Sequence, residues 1–389
     1  KDNNNKDDNN NINNCKVVFF AEDVPAKGYK AFRIKQSQTK DEVGSPSFDM
    51  CKSNANENEV CPIEINIEKD SENKIKAISN KYFNIKFDES YNLMSIFDKE
   101  NSREIIKDGK KANVIQAFED KPHNYDAWDI NIYYQEKMWE VNNVESAQIV
   151  ENGPVRTALK IVRRFLDSKI IQYIYVYNDL QRIDFKTIID WKEKQILLKA
   201  AFPVDIHSDK AAFEIQYGNV ERPTHWNTSW DLARFESVAH KWVDLSEDDY
   251  GVSLLNDSKY GHDIKDSVMR LTLLKSATYP NVDADREVHE FIYSLYPHKG
   301  DWKEGDTVKQ AYFLNCPMYY TIQKAHSGSL PSEFSMVCVD KENVIIEVVK
   351  GAEDSEDIII RVYECYNRRT TAKITLFTEI LEVWDCDLL

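Results

Sequence analysis

From Ile63 onward, apolar and polar positions alternate with a period of two residues. Phe83, Ile85 and Phe87 take one phase, and Tyr82, Asn84, Lys86 and Asp88 the other. The same alternation sets Ile183, Phe185, Thr187, Ile189 and Trp191 against Asp184, Lys186 and Asp190. Successive side chains of an extended chain point to opposite faces, so the pattern predicts half-buried strands. Asn178 and Asp179 separate the runs 170–177 and 180–191, and both residues tolerate the backbone of a hairpin turn. Tyr173, Tyr175 and Tyr177 then share one face of the first strand. No 3.6-residue repeat persists over a dozen residues. The chain is therefore expected to be all-β, with long antiparallel strands packed as a sandwich.

The pattern also divides the chain. Residues 1–16 open on the tract KDNNNKDDNNNINN, which is too polar to offset its ordering entropy and reads as a disordered lead. Residues 17–75 read as a linker with small β pieces around Pro25 and Gly28 and a polar loop over 36–59. Residues 76–315 form the large sandwich. Past Cys316 the strands shorten (334–339, 344–349, 358–363 and 372–377), so 316–389 reads as a smaller C-terminal sandwich, expected to be truncated because EILEVWDCDLL ends on no stop signal. With no initiating Met either, the chain is expected to be a fragment whose targeting information lies elsewhere.

Composition narrows the function. A formal charge of −16 disfavours nucleic acid or an anionic membrane surface as partner, because both repel an acidic chain. No run of about 18 apolar residues exists to span a bilayer. The seven cysteines (Cys15, Cys51, Cys61, Cys316, Cys338, Cys365 and Cys386) are odd in number and lack a CxxC pair, which suits a reducing, cytoplasmic setting.

Two stretches are dense in aromatic, acidic and amide side chains: FEDKPHNYDAWDI (118–130) and ERPTHWNTSWDLARFESVAHKWVDLSEDDYGVSLLNDSKYGH (221–262). Rings that stack on a pyranose beside groups that bond its hydroxyls suit a sugar surface, although half-buried rings on strands give the same composition. Reaction chemistry is harder to find. The eight histidines form no HxH or HxxxH spacing, so no metal site is expected from this chain. No GxSxG elbow or Gly-rich phosphate loop occurs, and Cys338 and Cys365 sit in apolar, strand-like surroundings. Asp126 and Asp129 flank Trp128, but in an extended segment they would face opposite ways about 10 Å apart, which makes no nucleophile–acid pair. The segment reads instead as a loop presenting a ring and one or two acceptors.

The 221–262 stretch resembles the C-terminal β region of class II α-mannosidases, glycoside hydrolase family 38, in its cytosolic-type branch. Four further pieces fit in the same order: YFNIKFDESYNLMSIFDKENSRE (82–104), FEDKPHNYDAWDI, MRLTLLKSATYPNVDADREVHEFIYSLYPH (269–298) and VVKGAEDSEDIIIRVYE (348–364). Asp23-Val24-Pro25 with Gly28-Tyr29 is similar to the start of that region. The resemblance implies a galactose mutarotase-like supersandwich plus smaller sandwiches. It also implies a retaining exo-α-mannosidase parent whose zinc, nucleophile and acid/base lie in an N-terminal catalytic domain. No position of this chain matches those catalytic or metal motifs, so the fragment is expected to be inactive and zinc-free, with the catalytic domain and mannosides as its partners and the parent a candidate homo-oligomer. By the same resemblance Asp126, Trp128, Asp129, Tyr260, Arg270 and His225 are the substrate-binding candidates at the pocket or the domain interface. Two other readings stay open: a non-catalytic carbohydrate-binding module, and a mutarotase-like epimerase in which His207, His225 and Glu236 converge.

Overall fold

The computed structural model describes residues 17–36, 48–49, 65–324 and 326–387. The Asn-rich lead, most of the 36–59 loop and Cys15, Cys51 and Cys61 lie outside the described residues. The period-two segments become strands with the expected faces. Phe83–Phe87 buries Phe83, Ile85 and Phe87 and turns Asn84 and Lys86 outward. Ser168–Tyr177 alternates strictly, with Ile170, Ile174 and Val176 inside and the three tyrosines on the other face, where Tyr173 and Tyr175 stack with centroids 6.3 Å apart.

Among the described residues these strands build three large antiparallel sheets around one core. The nine-stranded sheet runs Asn143–Asn152, Arg156–Phe165, Ser168–Tyr177, Ile183–Asp190, Val288–Lys299, Tyr250–Asn256, Trp242–Ser246, Lys210–Ile215 and Gly218–Pro223. The six-stranded sheet runs Met138–Glu140, Val114–Glu119, Ile196–Pro203, Val268–Lys275, Gly261–Lys265 and Ser237–Val238. The five-stranded sheet runs Asn66–Lys69, Ile75–Ser79, Phe83–Phe87, Leu93–Asp98 and Arg103–Glu104. Phe202 of the six-stranded sheet packs on Phe185 and Tyr293 of the nine-stranded sheet at 5.7 and 6.1 Å, and Phe83, Ile85 and Leu93 join the same cluster. The molecule is all-β, a large antiparallel sandwich with smaller β pieces. Ile196–Pro203 is buried along its whole length, as a central strand covered on both faces must be.

Two features depart from the alternating pattern. The run 334–339 is two strands rather than one: Glu333–Ser335 pairs with Gly28–Lys30, and Val337–Val339 pairs with Ile374–Leu376. Gly28 permits the first pairing, since a Cβ there would lie 1.9 Å from the Phe334 carbonyl oxygen. The second is a nine-residue helix, Thr307–Asn315, which the sequence reading places within the sandwich as no helix at all. It buries Val308 and Ala311 in a second apolar cluster with Trp242, Tyr296, Trp302, Cys365 and Tyr366. Strand residues of the large sandwich and residues near the C-terminus thus share one small core.

Candidate functional site

The six-stranded sheet turns one face to the sandwich core and the other to two covering segments, 120–137 and 224–236. They overlap the two aromatic–acidic stretches of the sequence, 118–130 and 221–262. On the covered face Leu197, Phe118 and Tyr134 form an apolar patch with Ile130 and Phe235 packed against it. The Phe118 and Tyr134 rings meet edge-on at 5.1 Å.

Beside that patch lies a buried charge cluster. Lys199, fully shielded from solvent, points its ammonium at Glu236 Oε2 (2.5 Å) and Asp263 Oδ2 (2.8 Å). Arg270 Nε donates to Asp263 Oδ1 at 2.7 Å, and the Thr272 hydroxyl donates to Glu236 Oε1 at 2.6 Å. Strand pairing explains the convergence, because Lys199 lies opposite Thr272 and Asp263 opposite Arg270. Gly261 leaves room for Glu236: a Cβ there would stand 2.9 Å from its Oε1. Burial works against the Lys199 ammonium, yet Asp263 and Glu236 outweigh it and hold the pKa above the ordinary lysine value. For Arg270 burial is likewise outweighed by Asp263, and the pKa is raised.

The sequence-predicted residues sit around this cluster in different ways. Asp126, Trp128 and Asp129 share a turn closed by the Trp128 and Asp129 N–H groups on the Tyr125 carbonyl. Asp126 Oδ2 accepts from the Thr278 N–H (2.6 Å) and hydroxyl (2.9 Å), while its buried Oδ1 has no partner among the described residues. Trp128 is 71% exposed, and Asp129 is also exposed. Arg270 is bound to Asp263, with its guanidinium 5.7 Å from the centre of the Phe118 ring. His225 Nδ1 stands 3.7 Å from Asp231 Oδ2, whose carboxylate closes a capping box with Thr228 at the helical turn Ser229–Ala233. That hydrogen bond from Thr228 leads the causes that lower the Asp231 pKa. Tyr260 is exposed at the sheet edge, its ring edge-on to His240 at 5.3 Å. The turn brings three of the six together; the rest touch other neighbours.

Sequence reasoning overlooked Lys199, Asp263 and Thr272 as a group. One signal was available: a single lysine inside the apolar run ILLKAAF. Its ammonium must be paired if the run is a central strand.

Chemically the cluster is a platform. Each carboxylate is bonded to the ammonium and to a further donor, so neither is free to attack or to shuttle a proton. His225 and Glu236 do not form an acid–base pair: His225 faces Asp231, Glu236 is held by Lys199, and the backbone at His207 is tied to Glu247 through its N–H. A second grouping, Ser253, His298 and Asp244, is wholly buried. There one nitrogen, His298 Nε2, meets both Ser253 Oγ (3.2 Å) and Asp244 Oδ2 (2.8 Å), whereas a proton relay needs its two partners on opposite ring nitrogens. Among the described residues no three His, Cys, Asp or Glu side chains are grouped to hold a metal ion.

Comparison with known proteins adds the family context. The model for "Glycosyl hydrolases family 38 C-terminal domain" matches residues 78–283, and that for "Glycosyl hydrolases family 38 C-terminal beta sandwich domain" matches residues 343–389. Alpha-mannosidase G of Dictyostelium discoideum is 36% identical over 319 residues, 79% of this chain and 29% of that protein. Alpha-mannosidase 2C1 of Homo sapiens is 34% identical over 318 residues, 80% of this chain and 30% of that protein. The crystal structure of an alpha-mannosidase from Enterococcus faecalis V583 superposes with a TM-score of 0.67 at 15% identity, covering 90% of this chain and 45% of that chain. The chain therefore spans about three-tenths of the length of these curated relatives.

Proposed function

The chain belongs to glycosyl hydrolase family 38, and on that premise we propose that it is the C-terminal β region of a retaining exo-α-mannosidase. In this reading the parent releases terminal α-linked mannose, and zinc and the reacting carboxylates reside in a catalytic part that precedes this chain. The described region supplies one wall of the sugar site: the 120–137 and 224–236 segments, held on the Lys199–Asp263–Glu236 platform. The observation that carries the reading is the pairing of a buried, charge-locked base with solvent-facing rings. Trp128 and Trp230 are 71% and 77% exposed on segments whose other side is anchored to the sheet. A rigid base under an exposed ring is what stacking on a pyranose requires. The free cysteines Cys316, Cys338, Cys365 and Cys386 support a reducing, cytoplasmic setting for the parent.

Trp128→Ala in the parent enzyme tests this. The exposed ring contributes little to folding, so stability should change by less than about 0.5 kcal/mol. Loss of a stacking ring should raise the KM for an aryl α-mannoside roughly tenfold, equivalent to about 1.4 kcal/mol. Unchanged KM with unchanged stability would remove Trp128 from the sugar wall.

A further inference from the structure

Residues 317–324 (PMYYTIQK) leave the helix Thr307–Asn315 and run over the surface without secondary structure. Both ends of the exposed stretch are fastened. Before it, the Cys316 N–H donates to the Tyr312 carbonyl, and Asn315 Nδ2 donates to the Asn256 carbonyl at 2.9 Å. Beyond it, the Ala31 N–H and the Tyr29 hydroxyl donate to the carbonyls of Ser332 and Pro331 at 2.7 and 3.1 Å, and the Gly28–Lys30 pairing follows. Between these anchors the main-chain groups of residues 317–324 make no hydrogen bond among the described residues.

The composition is wrong for a solvated loop. Exposed connections are usually small and polar, with Gly, Pro, Asn, Asp and Ser. Here Met318, Tyr319, Tyr320 and Ile322 are 62%, 100%, 84% and 84% exposed. Consecutive side chains are bare, so no side of the segment leans on the sandwich. Whatever covers it must surround it, as a groove does, and a flat face would not suffice. A contiguous apolar exposure of this kind marks an interface, and long structureless connections in compact domains are usually functional.

The occupant follows from chain length. The matched region is named C-terminal in both family models, and about seven-tenths of the curated relatives' length lies outside the alignment. A covalently joined partner meets the segment at an effective concentration in the millimolar range, ahead of a second copy. We propose that residues 317–324 are an arm that inserts into an apolar groove on the part of the parent polypeptide preceding this chain. The groove would also offer hydrogen-bond partners to the two tyrosine hydroxyls and to the arm's bare main chain. The inference rests on the reading of the chain as the C-terminal region of a longer mannosidase.

The test places p-benzoylphenylalanine at Tyr319 of the full-length parent, followed by irradiation and peptide mapping. The expected product runs as a monomer and joins residue 319 to a peptide from the preceding part. Cross-links confined to the dimer band, confined to peptides of residues 65–387, or missing altogether would overturn the arm. A second variant, Tyr319→Ser with Ile322→Ser, should raise tryptic cleavage at Lys324 roughly tenfold as the seated segment is released; an unchanged rate would count against it. Aryl α-mannoside turnover by the same preparation keeps the two readings apart. An active parent without the upstream cross-link loses only the arm, and an inactive parent with it loses only the mannosidase reading.

Discussion

Replacing Lys199 by Met is expected to destabilise the fold by about 3–5 kcal/mol, the usual cost of removing one partner from a buried ion group. The Met side chain fills nearly the same volume, so the loss is electrostatic. Asp263 would keep Arg270, but its Oδ2 would face an apolar chain, and Glu236 would keep only Thr272. Chemical denaturation read by tryptophan fluorescence measures the change. Adding Glu236→Gln to Lys199→Met should recover part of it, because an amide is cheaper to bury without a cationic partner than a carboxylate. A loss below about 1 kcal/mol would mean that water reaches the cluster.

The second large effect is an acid sensitivity built into the neighbouring strand position. His262 is fully buried on the opposite side of its strand from Asp263, with Nδ1 3.2 Å from the Tyr260 carbonyl and Nε2 without a partner among the described residues. Burial, above all, pushes its pKa down from 6.5 to about 4. Below pH 6.5 the unfolded chain therefore takes up a proton that the folded chain refuses. The contribution is intact above pH 6.5 and is lost as the pH falls toward 4, by about 3 kcal/mol in all. Stability measured from pH 7 to pH 4 should show this slope, and His262→Gln should flatten it. A slope unaltered by that substitution would place the acid sensitivity elsewhere.

Much of the fold was legible because strand burial has period two and the sequence keeps it. Phe83, Ile85 and Phe87, and Ile183, Phe185, Thr187, Ile189 and Trp191, are buried as the alternation requires. The adjacent pair His262-Asp263 splits to opposite faces for the same reason. The helix Thr307–Asn315 escaped because nine residues give too few turns for a 3.6-residue repeat to stand out; its burial against Trp242 and Trp302 is a tertiary fact. The 334–339 run broke into two because its partners, Gly28–Lys30 and Ile374–Leu376, come from distant parts of the chain. At the candidate site, the loop character of 126–129 could be read locally. The Lys199–Asp263–Glu236 platform could not, since it depends on the register that sets Lys199 opposite Thr272 and Asp263 opposite Arg270. Sequence spacing carries no register between strands that are far apart along the chain.

This chain is proposed to hold one wall of a mannoside site and none of its reaction chemistry. Zinc-supplemented hydrolysis of an aryl α-mannoside tests it most directly, with residues 1–389 alone set beside the polypeptide that also carries the preceding part. Residues 1–389 are expected to give no turnover, and the longer polypeptide to release mannose with retained anomeric configuration. Turnover by residues 1–389 alone would contradict it.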